Sequence, residues 1–165
     1  MKISKSELIE MDACELGLNR FIEQTNNTEE SVEVETLVGG ANTYDDLLWL
    51  ASKTIPTNRI ARFACDCALI NIEKIMPLTD KYDSIVNFLN DPKAECARDV
   101  ALNADSSSWA AGWDDGARRA ARSASSAGWC CCGRSVDDAV QAAGWAAEMS
   151  KEKVNELLCE MFNEF

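Results

Sequence analysis

The side chains best suited to chemistry in this chain are its eight cysteines, three adjacent aspartate pairs and one arginine cluster. Cys65 and Cys67, taken with Cys14, Cys96, Cys159 and the run Cys130-Cys131-Cys132, raise the prospect of zinc, because four thiolates can hold that ion. Residues two apart on a helix point about 200° apart and do not reach one ion, and no Cys-x-x-Cys pair occurs. The sequence therefore predicts no metal and no cofactor, and assigns most cysteines to the core as small apolar residues. The run at 130–132 covers three faces of a helix, so at least one of its thiols is expected at the surface. Histidine is absent. The usual Cys-His or Ser-His nucleophile cannot be assembled, and a base poised near neutrality would have to be a shifted carboxylate or lysine.

The pairs Asp45-Asp46, Asp114-Asp115 and Asp137-Asp138 face apart on a helix, and two of the three are expected at helix starts, where the dipole favours negative charge. Arg118, Arg119 and Arg122 form the dense basic cluster. Arg118 and Arg122 share a face, and Asp114 or Asp115 one turn earlier offers an ion pair worth a few tenths of a kcal/mol. Gly39-Gly40 lacks the later Gly and Lys of a phosphate-cradling loop. No catalytic residue is predicted.

Positioning these groups falls to helices. Ala-Gly-Trp occurs three times at a spacing of 16 residues, at Ala111–Trp113, Ala127–Trp129 and Ala143–Trp145. Along one unbroken helix that spacing would point successive indoles to nearly opposite sides, at about 100° per residue. Short helices broken by turns could aim all three inward. The expectation is Ala/Ser-rich helices whose backbones approach closely, with tryptophans, Trp109 included, filling the larger gaps.

Taken in order, Ser6 is expected to cap a first turn, and Asp12 with Glu15 to form a capping box for a helix carrying Ala13, Cys14, Leu18, Phe21 and Ile22 inward. Ser31 to Val38 alternates like a strand, but with no evident strand partner it reads as helix or irregular chain. Thr43 with Asp46 starts a buried helix ending before Pro56. A longer helix runs from about Asn58 to Met76, stopped by Pro77. Asp80 caps a short helix, and Pro92 opens the next. Asp105 to Ser108 starts another helix carrying Trp109 and Trp113, Gly133 to Ser135 marks a boundary, and Ser150 begins a last amphipathic helix. The fold class is all-α: a single compact multi-helix domain over 1–165, of about seven to nine helices, with an acidic N-terminal half (1–91) and an Ala/Trp-rich half (92–165).

The net charge is −12 and the isoelectric point about 4.4. Phosphate backbones and anionic membrane surfaces would repel such a chain, so neither nucleic acid nor membrane is an expected partner. Residues 1–91 hold 16 acidic against 8 basic side chains. Glu29, Glu30, Glu33 and Glu35, with Asp45 and Asp46, are the candidate contacts for a partner protein with a basic surface. With no apolar leader segment in its sequence, the chain is expected in the cytoplasm with its thiols reduced.

The order Ala13-Cys14-Glu15-Leu16-Gly17-Leu18 with Phe21, then Asp46-Leu47-Leu48-Trp49-Leu50, then Arg62-Phe63-Ala64-Cys65-Asp66-Cys67-Ala68, then Asp91-Pro92 and an Ala/Trp-rich remainder resembles a family of small helical proteins of bacteriophage genomes, similar to immunity proteins of the Imm-5 type. The likeness runs from Ala13 to Ala147. It implies a helical, non-catalytic phage or mobile-element protein and carries over no catalytic residue. The expected function is a non-enzymatic inhibitor that binds and blocks a host or defence protein. The alternatives are an immunity protein neutralising a cognate toxin and a homo-oligomeric structural component.

Overall fold

The computed structural model describes residues 1–133 and 135–163, the side chain of Ala94 excepted. Among these residues the helical segments are α1 (Lys5–Glu10), α2 (Glu15–Gln24), α3 (Tyr44–Thr54), α4 (Thr57–Leu69), α5 (Tyr82–Asn90), α6 (Ala94–Ala110), α7 (Asp115–Cys131) and α8 (Val136–Asn163), the last broken into two at Ser150. The all-α expectation holds, with one small exception. Lys2–Ile3 (β1) pairs antiparallel with Val32–Glu33 (β2), Ile3 opposite Val32. The alternation at 32–35 thus does find a partner, at the N-terminus, before the chain tightens into a 3₁₀ turn at Val34–Leu37.

The packing centres on α7, which lies against α4, α6 and α8. Its buried residues are almost all small: Ala117, Ala120, Ala121, Ser123, Ala124, Ser125, Ser126, Ala127 and Gly128. They meet Ala97, Ala101 and Ala104 of α6 and Ala139, Ala142, Ala143 and Ala146 of α8 in the same core. Small faces let helix backbones come close, and one polar bond locks the contact, from Ser123 Oγ to the Ala142 carbonyl at 2.8 Å. A Cβ on Gly128 would stand 2.9 Å from the Ala97 carbonyl oxygen and the Ala101 nitrogen. The large side chains gather elsewhere. Phe21, Leu37, Leu47, Leu48, Leu50, Ile60 and Phe63 meet Val154, Leu158, Met161 and Phe162 from the far end of α8, and Tyr44 Oη donates to Asn155 Oδ1 at 3.0 Å.

Local chemistry corrects several boundaries. Ser4, not Ser6, caps α1, in a reciprocal box with Glu7. The cap of α2 is Cys14, whose sulfur accepts from the Gly17 N–H at 3.3 Å; Asp12 instead takes a left-handed turn at φ 60°, so Cys14 is exposed rather than buried. Thr43 and Asp46 do form their capping box. The helix expected to reach Met76 stops at Leu69, because Asn71 adopts φ 59°, a conformation Asn tolerates, and a 3₁₀ segment, Ile72–Leu78, follows and contains Pro77. Lys81 rather than Asp80 precedes α5, without a side-chain cap.

No helix starts at Asp105. The hydroxyls of Ser106, Ser107 and Ser108 bond back to the carbonyls of Leu102, Asn103 and Asp105 at 2.8–3.0 Å, so α6 runs through them. Ser150 leaves helical geometry (φ −158°, ψ 85°) and divides α8 into two helices, so a last helix does begin there as expected. At the boundary expected around Gly133 to Ser135, Gly133 takes φ 73° and Arg134 lies outside the described residues.

Candidate protein-binding surfaces

The close approach of small residues leaves no room for the indoles expected in the core. Trp109, on the last turn of α6, is 81% exposed and Trp113 is 98% exposed. Trp113 sits in the turn between α6 and α7, which Gly112 permits by taking φ 55°. Trp129 and Trp145 are half-buried, and Trp145 is covered by Arg122, whose guanidinium carbon lies 4.8 Å from the ring centre. The signal was in the sequence. The buried stripe of α6 runs Ala97, Val100, Ala101, Ala104, Ser107, Ser108, then Ala111, a period of three and four that excludes position 109.

Trp109, Gly112 and Trp113 with Ser108, Arg118 and Arg122 line an open hollow of about 320 Å³. Leu102, also exposed, is seven residues before Trp109 and so on the same face of α6. Arg118 pairs with Asp115, and Arg119 with Glu148 of α8. The cluster is thus largely neutralised by its own chain, and the corner presents chiefly indole and aliphatic surface.

The acidic candidates divide. Glu29 pairs with Lys5 at 3.6 Å, Glu33 with Lys2 at 3.5 Å, and Glu35 with the Met1 ammonium at 3.0 Å. Asp46 is held by Arg20. Burial pushes the Asp46 carboxyl up, but hydrogen bonds from Arg20 and Thr43 outweigh it and keep it below the usual carboxylate range. Glu30 and Asp45 are exposed to solvent. Glu29 to Glu35 therefore lie around the β1–β2 ribbon, while Asp45 and Asp46 lie on the first turn of α3. The structure gathers the first four and sets the aspartates on another element.

Asp45 and Asp46 line a different feature, a cleft of about 370 Å³ whose walls include Leu8, Phe21, Trp49 and Val140. It is apolar apart from the Arg20–Asp46 pair and a few polar side chains. All three aspartate pairs stand at helix starts, one more than expected. Among the described residues, no three Cys, Asp or Glu side chains gather as a metal site. Cys65 and Cys131 do meet, with their sulfurs 3.5 Å apart. No helix among the described residues is long and apolar enough to cross a membrane.

No family model, curated protein or solved structure matches the chain.

Proposed function

We propose that this protein is a non-enzymatic binding domain that occupies and blocks another protein, anchored through the Trp109–Trp113 corner. The observation that carries the reading is the near-complete exposure of two indoles on adjoining elements. Each would bury about 150–250 Å² in a contact, and tryptophan is among the residues that dominate binding energy when desolvated. The aspartate pairs support a non-catalytic reading, since all three serve helix starts. The charge of −12 supplies long-range attraction to a partner with a basic surface. In that division of labour Glu29, Glu30, Glu33, Glu35, Asp45 and Asp46 contribute field and orientation, with Glu30 and Asp45 the members best placed for direct contact.

A phage or mobile-element inhibitor of a host or defence protein in the cytoplasm fits this physics, and an immunity protein acting on a cognate toxin uses the same contacts on a different partner. The same corner also favours a second reading, in which two copies bury their indoles against each other. The test compares wild type with the double variant Trp109→Ala/Trp113→Ala. A single stoichiometric protein captured by the first and lost by the second, with wild type monomeric by light scattering, supports the inhibitor. A wild-type dimer that the double variant dissociates supports self-association. Equal capture by both proteins overturns the corner as the anchor.

A further inference from the structure

Cys65 lies in α4 and Cys131 is the last residue of α7, 66 positions later, yet their thiols share a hydrogen bond with Sγ–Sγ 3.5 Å. The two are not equivalent. Cys65 is fully buried, whereas Cys131 is partly exposed and lines an open groove with Thr57, Arg59, Arg62, Pro92 and Cys130. Arg62 is fixed beside them. Its Nε donates to Asp66 Oδ2 at 3.0 Å and its Nη1 to the Asn90 carbonyl at 2.9 Å, and its charge acts on both sulfurs. The environment thus combines an accessible sulfur, a second sulfur waiting behind it, and a positioned cation.

We infer that Cys131 and Cys65 form a peroxide-reactive dithiol, in which Cys131 is attacked through the groove and Cys65 resolves the product into a disulfide joining α4 to α7. The protonation pattern suits these roles. The hydrogen bond shared with Cys65 lowers the Cys131 thiol below its ordinary value, against burial and with the help of the Arg62 charge, while the same bond and burial drive Cys65 upward. Cys130, pushed up to about 12 chiefly by burial, stays a thiol.

The chemistry balances as follows. The Cys131 thiolate attacks one oxygen of hydrogen peroxide, the O–O bond breaks, and the departing hydroxide takes up a proton as water, leaving Cys131 as a sulfenic acid. Cys65 then attacks the Cys131 sulfur. The S–S bond forms, the S–O bond breaks, and hydroxide leaves with the Cys65 proton as a second water. Two thiols are oxidised by two electrons and one peroxide is reduced. The sulfurs must close to about 2.05 Å, a movement on the order of 1.5 Å that side-chain rotation and a small helix shift have to supply.

The test treats the reduced full-length chain with stoichiometric hydrogen peroxide. The expected product has lost two hydrogens, and tryptic mapping with fragmentation joins Cys65 to Cys131. Cys131 is consumed at least about tenfold faster than exposed Cys14 and Cys96. In Cys65→Ala the Cys131 sulfenic acid persists and is trapped by dimedone, with circular dichroism confirming the fold. The wild-type mapping stands whether or not that variant folds. Oxidation that starts at Cys14 or Cys96, or a link that joins other cysteines and leaves Cys65 and Cys131 reduced, overturns the inference.

Discussion

Arg20 of α2 donates two hydrogen bonds to Asp46 of α3, Nε to Oδ2 and Nη2 to Oδ1, both 2.7 Å. The same carboxylate accepts from the Thr43 N–H at 2.9 Å and from its hydroxyl at 3.0 Å. One side chain therefore closes a helix cap and ties two helices together. Asp46→Ala is expected to cost about 1 kcal/mol for the cap alone. Arg20→Ala spares the cap and should cost less.

The pH dependence has a definite sign. The native Asp46 carboxyl is held below its ordinary value, so the unfolded state binds its proton first as pH falls. The stability it contributes is full above the unfolded value of about 3.9 and is lost as pH drops through the depressed native value. Urea midpoints of wild type and Asp46→Ala should differ at pH 7 and converge toward pH 3. A gap of constant size would falsify the account.

Two glycines from the repeated triplet should respond oppositely to alanine. At Gly128 a Cβ would meet the α6 backbone at 2.9 Å. Forcing a methyl into such packing costs about 1–3 kcal/mol, against a gain in helix propensity of about 1 kcal/mol, so Gly128→Ala is expected to destabilise. Gly144 is within α8, and a Cβ there meets nothing within 4 Å. Gly144→Ala should stabilise by about 0.5–1 kcal/mol. Denaturant curves with unchanged slope decide both; equal signs would mean that the α6–α7 approach is looser than described.

What could be read in advance follows a physical line. Helix content, the Thr43 cap and the amphipathic end of α8 depend on neighbours three or four residues away, and the sequence displays those directly. The meeting of Ile3 with Val32, the pairing of Glu35 with the chain start and the Cys65–Cys131 contact depend on residues brought together by packing, and no local pattern announces them. Trp109 is intermediate. Its exposure was implicit in the Ala and Ser stripe of α6, but the size of an indole argues for burial until the smallness of the facing residues is weighed.

Outside the Cys65–Cys131 pair, thiol reactivity should rank by burial. Cys14 and Cys96 are exposed, whereas Cys65 and Cys67 are buried, and burial, helped by the charge of Asp66, pushes the Cys67 thiol upward. Iodoacetamide at neutral pH is expected to label Cys14 and Cys96 promptly. Cys67 should react only through opening of the core, at least about a thousandfold more slowly. Mass spectrometry over time separates the classes, and prompt labelling of Cys67 would show that α4 is not packed as described.

Trp109 and Trp113 should matter to recognition and hardly at all to folding. Both side chains lie in solvent, so replacing either by alanine removes little buried area and is expected to shift stability by no more than about 0.5 kcal/mol. Their indoles are also the ones that a neutral quencher such as acrylamide can reach freely, while Trp129 and Trp145 are half-covered and Trp49 is partly shielded beside Lys53, whose ammonium lies 5.6 Å from its ring. The Trp109→Ala/Trp113→Ala variant should therefore keep the wild-type melting curve and lose the most quenchable part of the fluorescence. Addition of the bound partner to wild type should protect that same part. A melting midpoint that falls by many degrees in the double variant would show instead that the two rings are packed, and the corner would lose its claim as a binding surface.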